Sequence, residues 1–132
     1  MVMKKFKKSR IILLVLILIV ISLIIAETQT RFIRRWISDV IYDNRVPYLH
    51  CENLLNLAEV EQTVAAHQDL IEQIEAVHPG FIRVTISSSV NRSDCPGKGY
   101  LVIEYASHAD RLQIEAIIGE TFFGIPWMGL NL

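Results

Sequence analysis

The chain has 132 residues, two cysteines and a formal net charge of −1, a length suited to one domain. Split at Pro47, that charge separates: residues 1–46 carry nine Lys/Arg against Glu27, Asp39 and Asp43, a net of +6, while residues 47–132 carry four against eleven acids, a net of −7. The basic part belongs beside anionic headgroups and the acidic part stands away from them, which excludes nucleic acid as a partner of the acidic domain.

Residues 1–10 form a basic tail, with Lys4, Lys5, Lys7, Lys8 and Arg10 around Phe6. Residues 11–26, IILLVLILIVISLIIA, have Ser22 as their one polar side chain, and fourteen of the sixteen are Ile, Leu or Val. Those fourteen favour insertion into a bilayer by roughly 4 to 8 kcal/mol as an upper estimate. Sixteen helical residues span only ~24 Å of a ~30 Å hydrocarbon core. The flanks supply the rest: the lysines snorkel on one side, and Thr28, Phe32 and Trp36 occupy the interface on the other. A cleaved signal is the weaker reading, because a cut after Ala26 wants a small residue where Ile24 stands. Five Lys/Arg before the span against Arg31, Arg34 and Arg35 after it orient the N-terminus to the cytoplasm.

In residues 27–46, Phe32, Ile33, Trp36, Ile37, Val40 and Ile41 recur at helical spacing opposite Arg31, Arg34, Arg35 and Asp39. The pattern predicts an amphipathic juxtamembrane helix continuing the anchor. Its stripe would lie on lipid or on the domain, or form the seam of a homodimer. Pro47 ends it.

Residues 47–132 read as an extracytoplasmic α+β domain. Tyr48 to Cys51 is a short candidate first strand. A long helix is predicted from Leu57 to His78, its stripe being Leu57, Val60, Val64, Leu70, Ile71, Ile74 and Val77; Asn56 with Glu59 caps its start, and His78-Pro79-Gly80 closes it. Ile82, Val84 and Ile86 alternate with polar residues, as in an edge strand. After a polar connection from Ser88 to Gly99, the run Tyr100 to Ala106 is apolar enough for a central strand. Ser107 and Asp110 start another helix, with Ala109, Leu112, Ala116 and Ile117 expected inward and Gly119 as its stop. Thr121 to Ile125 is a last strand, held to an edge by Pro126. The alternative for that end is a docking tail carrying Trp127 and Met128.

This order predicts a ferredoxin-like βαββαβ fold, or αββαβ without the first strand, with helices on one face of an antiparallel sheet. In the former plan Cys51 and Cys95 fall at one edge of the sheet, so a disulfide is permitted. It would be worth about 4 kcal/mol by chain entropy.

The search for chemistry is brief. His50, His67, His78 and His108 show no metal-ligand spacing; His67 lies at the edge of an apolar stripe, and His78 and His108 lie at helix ends. CPGKG, Cys95 to Gly99, leads into a strand and lacks phosphate-loop spacing, so it reads as a turn. Ser87 to Ser89 has no nucleophile elbow. Asn91-Arg92-Ser93 matches a glycosylation triplet. No catalytic, cofactor-binding or metal residue is expected. The function expected is a single-pass membrane protein displaying a small interaction domain outside the cytoplasm, as an accessory subunit of an envelope assembly. The alternatives are a ligand-binding or sensory domain, and a membrane-tethered thiol enzyme built on Cys51 and His50.

Overall fold

The computed structural model describes residues 2–47, 49–90 and 93–132, so Tyr48 of the expected first strand and Asn91-Arg92 of the glycosylation triplet lie outside the described residues. The chain forms two units, Met1–Ile37 and Ser38–Leu132.

In the first unit, helix α1 runs over Val2–Thr30. It is longer than the sixteen-residue apolar run, and its window Ile11–Thr28 has a mean hydropathy of 3.1 with none of it buried. One helix near the N-terminus is therefore long and apolar enough to cross a bilayer. The amphipathic stretch follows the anchor as a separate helix. Arg31 takes a φ of 49°, and helix α2, Phe32–Val40, starts afresh. The break is chemically built: the Glu27 carboxylate accepts from the backbone N–H of Ile33 at 2.8 Å and of Arg34 at 3.2 Å. It thus satisfies orphan donors of the new helix and places negative charge at its positive end.

The second unit is a mixed α+β domain. Its elements are β1 (Leu55–Asn56), α3 (Leu57–Ala66), α4 (Gln68–Glu75), β2 (Arg83–Ser87), β3 (Ser89–Val90), β4 (Ser93–Asp94), β5 (Lys98–Tyr105), α5 (His108–Ile118), β6 (Thr121–Phe122) and β7 (Ile125–Asn131). The five-stranded sheet is built around β5, as its apolar sequence predicts. β2 pairs antiparallel to it from Ser87↔Tyr100 to Arg83↔Glu104, and β7 pairs parallel from Leu101↔Trp127 to Tyr105↔Asn131. The sheet is therefore mixed, not antiparallel, because α5 carries the chain back over the sheet between β5 and β7.

Nor is the strand order clearly βαββαβ. Leu49 and His50 form no strand, Cys51–Asn53 is a single 3-10 turn, and β1 pairs only as Leu55↔Gly99 and Asn56↔Lys98. With so short a first strand, nothing separates β5 from β7. The three longer strands and their helices come in the order helix, strand, strand, helix, strand.

Two further expectations are corrected. The long helix divides at His67 (φ −124°, ψ 38°), where the apolar stripe skips from Val64 to Leu70. The last strand is a hairpin rather than a single edge: β6 turns into β7 through Phe123 and Gly124, with φ of 51° and 85°, which suits a two-residue type I′ turn. Pro126 precedes Trp127, the first β7 residue paired to β5, so its missing N–H removes no rung of that ladder.

The core occupies both faces of β5. On one, Leu101, Ile103 and Tyr105 pack with Val60 of α3, Ile71 and Ile74 of α4, Ile114 of α5, and Phe122, Ile125 and Trp127. On the other, Tyr100 packs with Leu49, Leu54 and Cys95, with Cys51, Val102 and Met128 at the margin. Trp127 is fully buried and donates its indole N–H to the Gly119 carbonyl at 3.0 Å, so it belongs to the core and not to a docking tail.

Candidate functional site

The densest polar cluster of the domain lies where α5 meets the segment Asp39 to Arg45. Ser107 caps α5 by accepting from the Asp110 N–H at 3.2 Å. One side of the helix then carries His108, Arg111 and Glu115 at i, i+3 and i+7. Arg111 Nε bonds Glu115 at 2.9 Å, Nη1 bonds Asp43 at 3.1 Å and Nη2 bonds Asp39 at 2.7 Å. Burial pulls the Arg111 pKa down, but its hydrogen bonds to Glu115 and Asp39 and the Asp39 charge more than offset that, so the net direction is upward.

Asp43 is the hub. Its Oδ1 lies 2.7 Å from His108 Nδ1, its carbonyl accepts the Tyr105 hydroxyl, and its φ of 54° turns the chain. Burial pushes the Tyr105 phenol up to about 12. Asp43 Oδ2 is buried and has no hydrogen-bond partner among the described residues.

Arg45 locks the segment to the sheet. Its backbone exchanges two hydrogen bonds with Gly129 of β7, at 2.9 and 2.8 Å. Its guanidinium donates to the Trp127 carbonyl at 2.7 Å, lies 4.2 Å from the Trp127 ring centroid and pairs with Glu120 at 2.7 Å. Asn44 Oδ1 adds a bond from Asn131 N–H at 2.7 Å. These contacts leave a cleft of about 410 Å³ lined by Asp39, Val40, Asp43, His108, Arg111, Leu112 and Glu115. Since Arg111 engages three carboxylates, the capacity left over is that of an acceptor, Asp43 Oδ2, beside an exposed imidazole.

The other sequence-level candidates fall apart from this cleft. Cys51 and Cys95 form a disulfide with Cα atoms 5.3 Å apart, as their placement allowed. With both sulfurs in that bond, Cys51 is no thiolate nucleophile for His50 to activate. The ring of His67 stacks on Phe123 at 3.7 Å. His78 lies 3.0 Å from buried Asp110 and against Phe81. CPGKG is a turn, closed by Lys98 N–H to the Cys95 carbonyl at 3.0 Å, with Lys98 Nζ on Asn56. Among the described residues no group of three or more His, Cys, Asp or Glu is placed to hold a metal ion.

Of the cleft, only the i, i+4 pair of Arg111 and Glu115 leaves a signal in the sequence. Asp39, Asp43 and Arg45 sit some 70 positions away, in what reads as the end of a juxtamembrane helix. No protein-family model, curated protein or solved structure matches this chain.

Proposed function

We propose that the chain is a single-pass membrane protein, with residues 1–10 in the cytoplasm and the α+β domain displayed outside it as an interaction module of an envelope assembly. The observation that carries this reading is the run of exposed apolar side chains in α1 from Ile11 to Ile25, interrupted by Ser22 alone, which no described residue covers. In water that surface would stand bare, whereas a bilayer buries it with a gain of roughly 4 to 8 kcal/mol. The excess of Lys/Arg before the span supports the orientation, and the Cys51–Cys95 disulfide supports an oxidising compartment for the domain. The sheet is read as a shortened ferredoxin-like plan, since β1 and β2 both run antiparallel to β5; that reading carries no function by itself.

The test is thiol labelling of the full chain in its native membrane, before and after reduction, with mass readout. Labelling only after reduction, on a chain that retains Met1 to Ala26, is the expected result. Free labelling without reduction, or a mass lacking that segment, overturns the reading. Cross-linking in the same membranes should give a discrete higher-mass species, and a purely monomeric chain counts against an assembly role.

A ligand-binding domain is the second reading, favoured by the cleft and by Asp43 Oδ2, which has no hydrogen-bond partner among the described residues. Thermal shifts of the detergent-solubilised chain with small cationic amines test it, and the absence of any shift removes it.

A further inference from the structure

Helix α2 is built inside out for a soluble protein. Phe32, Ile33, Trp36 and Val40 lie within one arc of the helix and are all exposed, while Arg34 and Ser38 take the opposite arc and Arg35 and Asp39 the border between them. Its C-terminal end is held from the border of the arcs, where Asp39 pairs with Arg111, and by the Asn44 N–H donating to the Ser38 carbonyl at 2.9 Å. The apolar arc stays exposed, with Val40 at the rim of the cleft. Three features on the same stretch say what covers it. α2 begins four residues after the end of the span window Ile11–Thr28, so it stands at the membrane surface wherever the span is inserted. Arg31, exposed at its start, is placed to meet lipid phosphates. The elbow between the helices is held by Arg31 in its left-handed conformation and by the Glu27 carboxylate on the Ile33 and Arg34 N–H groups.

We infer that α2 is an interfacial membrane helix that buries Phe32, Ile33, Trp36 and Val40 at the headgroup boundary of the same bilayer that α1 crosses. This rests on the membrane-anchored reading above. The elbow at Glu27 and Arg31 ends the spanning helix and restarts it as a surface helix.

The test uses the full chain reconstituted in vesicles of phosphatidylcholine and phosphatidylglycerol, with phospholipids brominated either near the headgroup or deep in the acyl chain. The chain has two tryptophans, and Trp127 is buried in the core, so the difference between the full chain and W36F reports Trp36 alone. Quenching of that signal by roughly twofold with shallow bromines, and clearly less with deep ones, is the expected result. Equal or stronger quenching by deep bromines overturns the interfacial placement. Absence of quenching by either, on a chain that stays in the bilayer through an alkaline carbonate wash, overturns the inference while leaving the anchor intact; a cross-link between two copies of α2 in that case assigns the face to a dimer. Loss of the chain in the wash overturns both.

Discussion

Asp110 is a carboxylate inside the domain, buried at 6% exposure, and its environment keeps it charged. Burial alone would raise its pKa, but hydrogen bonds from His78 and Ser107, the His78 charge and the Ala106 backbone bring it below the ordinary 3.8. The unfolded carboxyl therefore takes up its proton first as pH falls. The stabilisation is complete above about pH 4 and is lost on descending through the lower folded pKa. Asp110→Asn should cost about 1 to 3 kcal/mol at neutral pH, by spoiling a buried charge-assisted pair. It should also flatten the acid limb of stability; urea melts at pH 7 and below pH 4 check both. Tyr105 has the opposite sign. Its phenol, pushed up from 10.0 to about 12 by burial, holds its proton longer in the folded state, so this contribution is full below pH 10 and falls as pH rises toward 12. Tyr105→Phe should lose about 1 kcal/mol at pH 7 through the unpaired Asp43 carbonyl and show a shallower alkaline decline in the same melts. Residues of this kind were the hardest to read from sequence. Apolar spacing on α5 points to Ala109, Leu112 and Ala116 as inward, yet all three are exposed and the buried pair is Asp110 and Ile114. A carboxylate becomes a core residue only because Ser107 and His78 arrive to bond it, and His78 lies 32 positions away.

Elements were legible where one local signal decided them. β5 declared itself by a continuous apolar run, the start of α3 by Asn56 with Glu59, whose carboxylate accepts the Asn56 N–H at 3.3 Å, and the end of α5 by Gly119 at φ 63°. β7 was not legible, because what makes it a central partner of β5 lies outside its own sequence: the crossover through α5 on one edge, and Arg45 on the other. Gly129 marks that second contact. A Cβ there would stand 2.8 Å from Tyr105 Cε1, 3.0 Å from Trp127 Cζ3 and 3.1 Å from Arg45 Cβ, hemmed in by two buried rings and a bridged backbone. Gly129→Ala should therefore destabilise the domain by about 1 to 3 kcal/mol, the range for overpacking a filled core. Gly99 is the control. Its added Cβ would meet chiefly the flexible end of Leu57, at 3.0 Å, which rotates away, so Gly99→Ala should cost under about 1 kcal/mol. Denaturant midpoints of the two variants decide the matter, and equal losses would mean that the Arg45 bridge does not confine β7.

At the scale of the whole molecule, the two faces of the sheet are stabilised differently. The helix-covered face holds the larger cluster, with three helices and Phe122, Ile125 and Trp127 of the β6–β7 hairpin closing on Leu101, Ile103 and Tyr105 of β5. Among the described residues the opposite face carries no α-helix and is covered by the segment from Leu49 to Leu54, whose attachment is the Cys51–Cys95 bond together with Leu54 packing on Tyr100. The disulfide closes a loop with a sequence separation of 44, worth about 4 kcal/mol by chain entropy. That loop contains β1, α3, α4 and β2, so reduction loosens the constraint on the first half of the fold while leaving the β5–α5–β7 crossover uncut. Stability should then fall unevenly. On reduction, amide exchange should accelerate first at Leu54, Tyr100 and the Ser88–Cys95 contact, where the Cys95 N–H donates to the Ser88 carbonyl at 2.8 Å. Protection at Ile103, Ile114 and Trp127 should persist until global unfolding. Hydrogen exchange with and without reductant measures this directly. Simultaneous loss of protection on both faces would show that the sheet has one cooperative core, with the disulfide supporting it as a whole rather than fastening a cover to its second face.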